Sequence, residues 1–136
     1  MQISLIPVEH INKVWPDIKN FVEQAASYSG GRTEEPDILQ DVLSGRSQLW
    51  IAFEDKVHGF VTSQFMNYPR MKVLGLQFTG GTNLSLWDSD MWHVLESWAR
   101  DNQCKKIEGV GRIGWLRHMK KFGCEPAFYT YDKEID

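Results

Sequence analysis

Residues 80–123 read GGTNLSLWDSDMWHVLESWARDNQCKKIEGVGRIGWLRHMKKFG, and this stretch decides the fold. Its composition predicts a glycine-rich loop, a helix, a short strand and a second helix that ends on a glycine. An apolar run at residues 73–78 comes just before it and predicts a strand that leads into the loop. We expect Ser85 or Asp88 to cap the first of the two helices.

A strand-loop-helix turn of this kind can bind a phosphate group. Gly80 and Gly81 carry no side chain, so a ligand can approach their backbone closely. The free amides at the start of the following helix, together with the positive end of its dipole, favour an anion. A glycine pair before a helix is also typical of an ordinary turn, so the rest of the sequence has to decide between the two interpretations.

The rest of the chain separates into helical and extended patterns. Apolar residues recur every three or four positions in the first third, and β-branched and aromatic runs separated by turns follow. Pro16 suits a first helical turn, and Thr33 suits an N-cap. The predicted elements are a strand at 3–8, helices at 15–27 and 33–45, strands at 49–53, 57–65 and 72–79, the helix after the glycine pair, a strand at 105–110, a helix at 113–122 and a strand at 128–135.

These elements give the order β-α-α-β-β-β-α-β-α-β. Three strands in a row joined by short turns predict an antiparallel meander. The fold class is therefore α/β (α+β), with a mixed, mainly antiparallel sheet flanked by helices. We expect one domain covering residues 1–136, which is an ordinary length for a single domain.

The charge of the chain is unevenly distributed. The net charge is -3, but six Lys and Arg residues stand against one Glu between Cys104 and Cys124. A local basic surface on an acidic protein suits a compact polyanionic ligand, whereas a long nucleic acid would be repelled by the acidic remainder. A solvated, lysine-rich helix face explains the same pattern equally well.

Targeting, redox and metal signals are absent from the sequence. The amino terminus has neither the basic start nor the apolar stretch of a secretion signal, and no run is long enough to span a bilayer, so we expect a cytoplasmic protein without a membrane partner. The two cysteines are expected to be free thiols. The four histidines share no ligand spacing with one another or with the cysteines, so no metal is expected, and His58 is expected at the surface or at a sheet edge.

The combination of Gly80-Gly81, Trp87, LESWA at 95–99, NQC at 102–104 and GRIGWLR at 111–117 resembles the GNAT family of N-acyltransferases. The motifs are most similar to those of small GNAT-like proteins encoded by tailed bacteriophages, and the resemblance covers almost the whole chain.

The resemblance implies transfer of an acetyl group from acetyl-coenzyme A (acetyl-CoA) to an amine. In that family the fourth strand offers backbone groups to the pantetheine arm where it splays from the fifth, the following loop holds the pyrophosphate, and the start of the last helix lies beside the cofactor. The cofactor-binding residues implied here are Leu76, Phe78, Thr79, Gly80, Gly81, Thr82, Asn83, Arg112 and Trp115.

The sequence departs from the family pattern at two places. The family loop usually begins with Arg or Gln, which this chain lacks, and the family's frequent general-acid Tyr corresponds here to Met119. We therefore consider Tyr129 and Tyr131 as substitute acids, with Tyr129 preferred, although an aromatic residue on a strand is also typical of packing. Glu108 is the candidate base, because a charged residue in a short apolar strand faces either solvent or a site.

Three functions compete at this point. The first is an amine acyltransferase that uses acetyl-CoA and a small-molecule or protein acceptor, and this is our prediction. The second is a catalytically inactive GNAT-fold binding or assembly protein of a phage. The third, a nucleic-acid binder, is disfavoured by the net negative charge. A homodimer is compatible with either of the first two, and a phage-encoded protein would act in the host cytoplasm.

Overall fold

The structure is a computed structural model and describes residues 1–135. It contains five strands, four α-helices and two 3-10 turns in the residues described. In chain order these are β1 (Gln2–Leu5), a 3-10 turn (Val8–His10), α1 (Ile11–Ala26), α2 (Glu35–Leu43), β2 (Gln48–Glu54), β3 (Lys56–Asn67), β4 (Lys72–Gly81), α3 (Leu84–Asp101), β5 (Lys106–Gly109), α4 (Ile113–Met119) and a second 3-10 turn (Lys120–Phe122).

The five strands form one sheet in the order β1-β2-β3-β4-β5. Every neighbouring pair is antiparallel except β4 and β5, which run parallel because α3 connects them across one face of the sheet. This arrangement confirms the predicted mixed, mainly antiparallel sheet flanked by helices.

The sheet is buried on both faces. One face packs against α1 and α2 through a cluster that includes Ile18, Val22 and Phe60, none of which has exposed surface. The other face packs against α3 through a cluster that includes Trp87 and Leu95, each 1% exposed. Burial of this apolar surface on both faces is the main source of stability.

The first helix starts earlier than predicted. It begins at Ile11 rather than Trp15, which places Pro16 inside the helix instead of in its first turn. A proline there removes one intrahelical hydrogen bond, but Ile11 and Trp15 are both buried and anchor the turn before it. The second helix is capped by Glu34 and not by Thr33, since Glu34 and Asp37 form a reciprocal capping box.

The glycine pair belongs to β4 and not to a loop, so that prediction is wrong. Gly80 pairs with Phe60 and Gly81 with Gly59 of β3. A side-chain carbon at Gly80 would lie 2.9 Å from the Phe60 ring, and one at Gly81 would overlap the backbone of β3. Gly81 also has φ of 138°, a conformation that favours glycine. The two glycines therefore let β4 continue beside β3 and under α1.

The cap of α3 also differs from the prediction. The helix begins at Leu84, so Ser85 and Asp88 lie inside it, and its N-cap is Asn83 in the left-handed conformation (φ 53°, ψ 44°). Asparagine tolerates that conformation better than most residues. The tight turn brings α3 directly off the end of β4.

The predicted last strand is not formed. Residues 124–135 contain no helix or strand, and the large side chains of Phe128, Tyr129 and Tyr131 are 73–95% exposed. Asp132 of this segment forms an ion pair with Arg32 in the α1–α2 loop at 2.7 Å, and the Cys124 amide donates to the Met119 carbonyl at 3.3 Å. Although β5 lies at an edge of the sheet, residues 124–135 do not pair with it.

His58 is buried in the central strand β3, contrary to the prediction that it lies at the surface or at a sheet edge. It is 9% exposed in β3, and its Nε2 lies 3.1 Å from the Glu54 carbonyl oxygen.

No helix in the described part of the chain is both long and apolar enough to cross a membrane. No three His, Cys, Asp or Glu side chains within residues 1–135 are arranged to hold a metal ion.

Candidate functional site

The strands β4 and β5 diverge halfway along β4. Their last paired residues are Leu76 and Gly109, after which β5 ends and β4 continues to Gly81 beside β3. A bulge at Gln77 lies at the same point, because Leu76 and Phe78 pair with consecutive residues of β3. A bulge bends its strand and increases the local twist. The end of β4 is therefore left without a partner on the β5 side.

Backbone groups of β4 are directed into this gap. The Thr82 amide donates to the His58 carbonyl (2.7 Å) and the Phe78 amide to Thr62 Oγ1 (3.2 Å), so alternate residues of β4 bond toward β3. In an antiparallel ladder the residues between them direct their amide and carbonyl groups to the opposite edge. Thr79 and Gly81 therefore present unpaired backbone groups to the gap, whereas the predicted Phe78 amide is occupied.

The start of α3 leaves backbone amides free at the end of the gap. The first-turn amides of Leu84 and Ser85 have no intrahelical acceptor, and α3 is long enough for its dipole to favour an anion there. The Trp87 indole donates to the Thr82 carbonyl at 2.9 Å and fixes the turn. Anion binding stays a prediction, and the free helical amides lie in the first turn of α3 and not at the glycine pair.

Glu108 lies on the α1/α2 face of the sheet, near the end of β5. Its neighbour Ile107 packs into the α3-side cluster, so the alternation of a strand puts Glu108 on the opposite face. Its partner in β4 is Gly75. The hydroxyl of Tyr68, in the turn between β3 and β4, donates to Glu108 Oε2 at 3.0 Å. The hydrogen bond to Glu108 raises the pKa of Tyr68, with smaller contributions from burial and from the carboxylate charge.

A group of neutral polar side chains shares this face. Gln77 Nε2 donates to Gln64 Oε1 (2.8 Å), and Ser47 Oγ donates to Gln77 Oε1 (2.9 Å). Ser47 is 4% exposed, so the network extends from the bulge into the interior. Glu108, Gln77 and Gln64 therefore form a polar surface beside the gap, on the side opposite α3.

Arg112 and Trp115 lie at the start of the last helix, but neither is inside the gap. The guanidinium of Arg112, at the N-cap of α4, stacks 3.7 Å from the centre of the Tyr28 ring at the end of α1. Trp115 is half-buried, and its ring lies edge-on to His118 at 6.0 Å. Arg112 thus joins α4 to α1, and its contact with a phosphate stays a prediction.

The last helix is attached to α3 by an ion-pair cluster and an aromatic contact. Asp88 of α3 is 3% exposed and contacts both Lys121 and His118, the latter at 3.0 Å between Oδ2 and Nε2. The Trp92 indole donates to the sulfur of Met119 at 3.3 Å. Met119 therefore packs against α3.

The charge of Asp88 is stabilised in place. Burial raises the pKa of its carboxyl group, but the Lys121 contact, the Ser89 amide and the positive charges of Lys121 and His118 outweigh burial. The net pKa lies below the ordinary aspartate value. The basic residues at the end of α4 thus neutralise a buried carboxylate of α3 in addition to facing solvent.

Tyr129 is not brought to the site. It is 84% exposed in the segment after α4, and its role as an acid stays a prediction. Tyr68 is the tyrosine that contacts Glu108, and the sequence analysis missed it because it lies in a turn 40 residues away. The Gln64–Gln77 pair was missed for a similar reason, since a bulge cannot be located from a strand pattern alone.

Comparison with known proteins gives the fold. No protein-family model matches the chain, and no curated protein matches it by sequence. A probable acetyltransferase superimposes with a TM-score of 0.75 at 15% identity, covering 100% of this chain and 99% of that one. A ribosomal-protein-alanine N-acetyltransferase from Brucella melitensis has a TM-score of 0.71 at 14% identity, covering 99% and 100% of the two chains.

An aminoglycoside antibiotic 6'-N-acetyltransferase from Acinetobacter haemolyticus is similar over 100% of both chains, with a TM-score of 0.69 at 12% identity. These likenesses confirm the predicted GNAT fold. At such low identity they concern the fold alone.

Proposed function

We propose that this chain transfers an acetyl group from acetyl-CoA to an amine. The observation that carries the proposal is the gap after Leu76 and Gly109, into which β4 directs the backbone groups of Thr79 and Gly81. An amide-bearing chain such as pantetheine can pair with an unpaired strand edge. Three acetyltransferase structures that share the fold over their whole length support the same assignment.

The chemistry of the donor groups fits acetyl-CoA. The Thr79 and Gly81 backbone would hold the amides of the pantetheine arm, and the first-turn amides of Leu84 and Ser85 would hold the pyrophosphate. When bound, acetyl-CoA supplies an activated thioester. The protein's own contribution is to fix the direction of approach and to exclude water, since an amine attacks a thioester without a covalent enzyme intermediate.

Glu108 is the residue proposed to move a proton. The acceptor reaches the site as an ammonium group and leaves as an amide, so it gives up two protons. One passes to Glu108 and then to solvent, and the other leaves with the coenzyme A thiol. One C–N bond forms as one C–S bond breaks, which balances the reaction. Glu108 and Gln77 would receive the acceptor on the α1/α2 face, opposite α3.

This proposal also includes four finer points. We propose that the cofactor is acetyl-CoA, that the chain is similar to tailed-phage proteins, that it acts in the cytoplasm and that it forms a homodimer. The alternative, a GNAT-fold binding or assembly protein, keeps the fold but requires no proton acceptor at Glu108. Transfer activity separates the two, because the alternative can bind a ligand but does not release coenzyme A.

The test is calorimetric titration with acetyl-CoA, combined with measurement of amine-dependent coenzyme A release. Thr79→Pro removes an amide that points into the gap and takes part in no β3 bond, so we expect weaker binding with little change in Tm. Thr82→Pro is the matched control, because it removes the bond to His58 and should lower Tm. Equal affinities of wild type and a folded Thr79→Pro variant would remove the gap as the binding site.

A further inference from the structure

The turn between β3 and β4 brings a tyrosine to the carboxylate of β5. Tyr68 follows the last residue of β3, and its amide donates to the Met71 carbonyl at 2.9 Å, which closes the turn. Its hydroxyl reaches Glu108 Oε2 at 3.0 Å. The residue opposite Glu108 in β4 is Gly75, so no β4 side chain separates the carboxylate from the turn.

We propose that Tyr68 is a positioning residue of the acyltransferase site, which holds the Glu108 carboxylate in place. The role rests on the proposed function, since it assigns a task within the same site. A hydrogen bond donated to a carboxylate fixes the side-chain rotamer.

Few other groups compete for Glu108. The β4 residues on its face, Gly75 and Gln77, are uncharged, and Lys106 is the basic residue that strand alternation places on that face of β5. Within residues 1–135 no Lys, Arg or His side chain lies within ion-pair distance of Glu108. The Tyr68 hydroxyl is therefore the polar partner that the described part of the chain offers this carboxylate.

The tyrosine keeps its proton over the working range of the site. Because the hydrogen bond to Glu108 raises the pKa of Tyr68, the phenol remains a donor at neutral and mildly alkaline pH. Glu108 is then the group that exchanges a proton with the acceptor, and Tyr68 acts through it.

The first test detects the hydrogen bond between Tyr68 and Glu108 without measuring enzyme activity. The four tyrosines of the chain are titrated through the ultraviolet absorbance of the phenolate in wild type, Tyr68→Phe and Glu108→Gln. We expect one tyrosine of the wild type to ionise at higher pH than the rest. Tyr68→Phe should remove that transition, and Glu108→Gln should move it to lower pH. If Tyr68 ionises at the same pH in wild type and in Glu108→Gln, the hydrogen bond between the two residues is refuted.

The second test measures the contribution of Tyr68 to catalysis. Tyr68→Phe should lower kcat/KM about tenfold, as expected for the loss of one hydrogen bond to a charged group. The loss should fall on kcat, because a carboxylate that is no longer held in place takes up the proton less often. The KM for acetyl-CoA should not change. Tyr28→Phe is the matched control and should behave like wild type, because it removes a hydroxyl from a half-exposed residue and keeps the ring that Arg112 contacts.

The outcomes separate the two proposals. An active wild type whose kcat is unchanged in Tyr68→Phe would overturn the positioning role and leave the acyltransferase function in place. A wild type that releases no coenzyme A with any amine would overturn the proposed function and this role together, even if the phenolate titration still reports the pair.

Discussion

Replacing Gly81 tests whether the glycine pair is structural. Gly81→Ala adds a carbon that would overlap the β3 backbone at His58 and Gly59, and it forces a non-glycine residue to φ of 138°. Backbone strain of this kind costs about 1–3 kcal/mol, and overpacking against a rigid strand costs about 1–3 kcal/mol more. We therefore expect the free energy of unfolding to fall by roughly 2–6 kcal/mol.

The assay is thermal and urea unfolding of the variant beside a matched glycine. For a chain of 136 residues, each kcal/mol lowers Tm by about 3–5 °C, so Gly81→Ala should melt at least roughly 6 °C earlier. Gly114→Ala is the control, because Gly114 lies in α4 with open space where the new carbon goes. It should leave stability unchanged or raise it by about 0.5–1 kcal/mol. A Gly81→Ala variant as stable as wild type would refute the reasoning.

Two further changes follow from the ion pairs. Asp88→Asn should cost about 1–3 kcal/mol at neutral pH, because it leaves Lys121 without its buried partner. Because the pKa of Asp88 is lowered in the folded protein, its stabilising contribution is complete above the ordinary aspartate pKa and is lost as pH falls through the lowered value. The stability difference between wild type and Asp88→Asn in urea unfolding should therefore vanish in acid. A difference that does not depend on pH would contradict the assignment. Arg32→Ala should change stability by less than about 0.5 kcal/mol, since both members of the Arg32–Asp132 pair are more than half exposed; a larger loss in unfolding would show that the last segment is firmly held.

The element order could be predicted because strong local patterns agree with the tertiary structure. The apolar stripe of α3 and the runs of β2 to β4 each bury one face or both, so periodicity and burial give the same answer. The predicted strand at 128–135 was wrong because an alternating pattern shows only that a segment can form a strand. β5 lies at an edge of the sheet, but residues 128–135 do not pair with it.

The site was less predictable because it depends on contacts between distant residues. In the sequence, a glycine pair before a helix looks the same whether it lies in a loop or at the end of a strand. The close contacts of Gly80 with Phe60 and of Gly81 with His58 show that this pair ends a strand, and the sequence does not reveal them. Glu108 was singled out as a charged residue in a short strand, but its contact with Tyr68 depends on the β4–β5 register.

The most direct measurement of the central claim is amide hydrogen exchange, resolved by residue with and without acetyl-CoA. Binding in the gap should slow exchange at Thr79, Gly81, Leu84 and Ser85, whose amides have no β3 or intrahelical acceptor. The Thr82 amide is already bonded to His58 and should change least. No protection at millimolar acetyl-CoA, or protection at other residues only, would contradict the account.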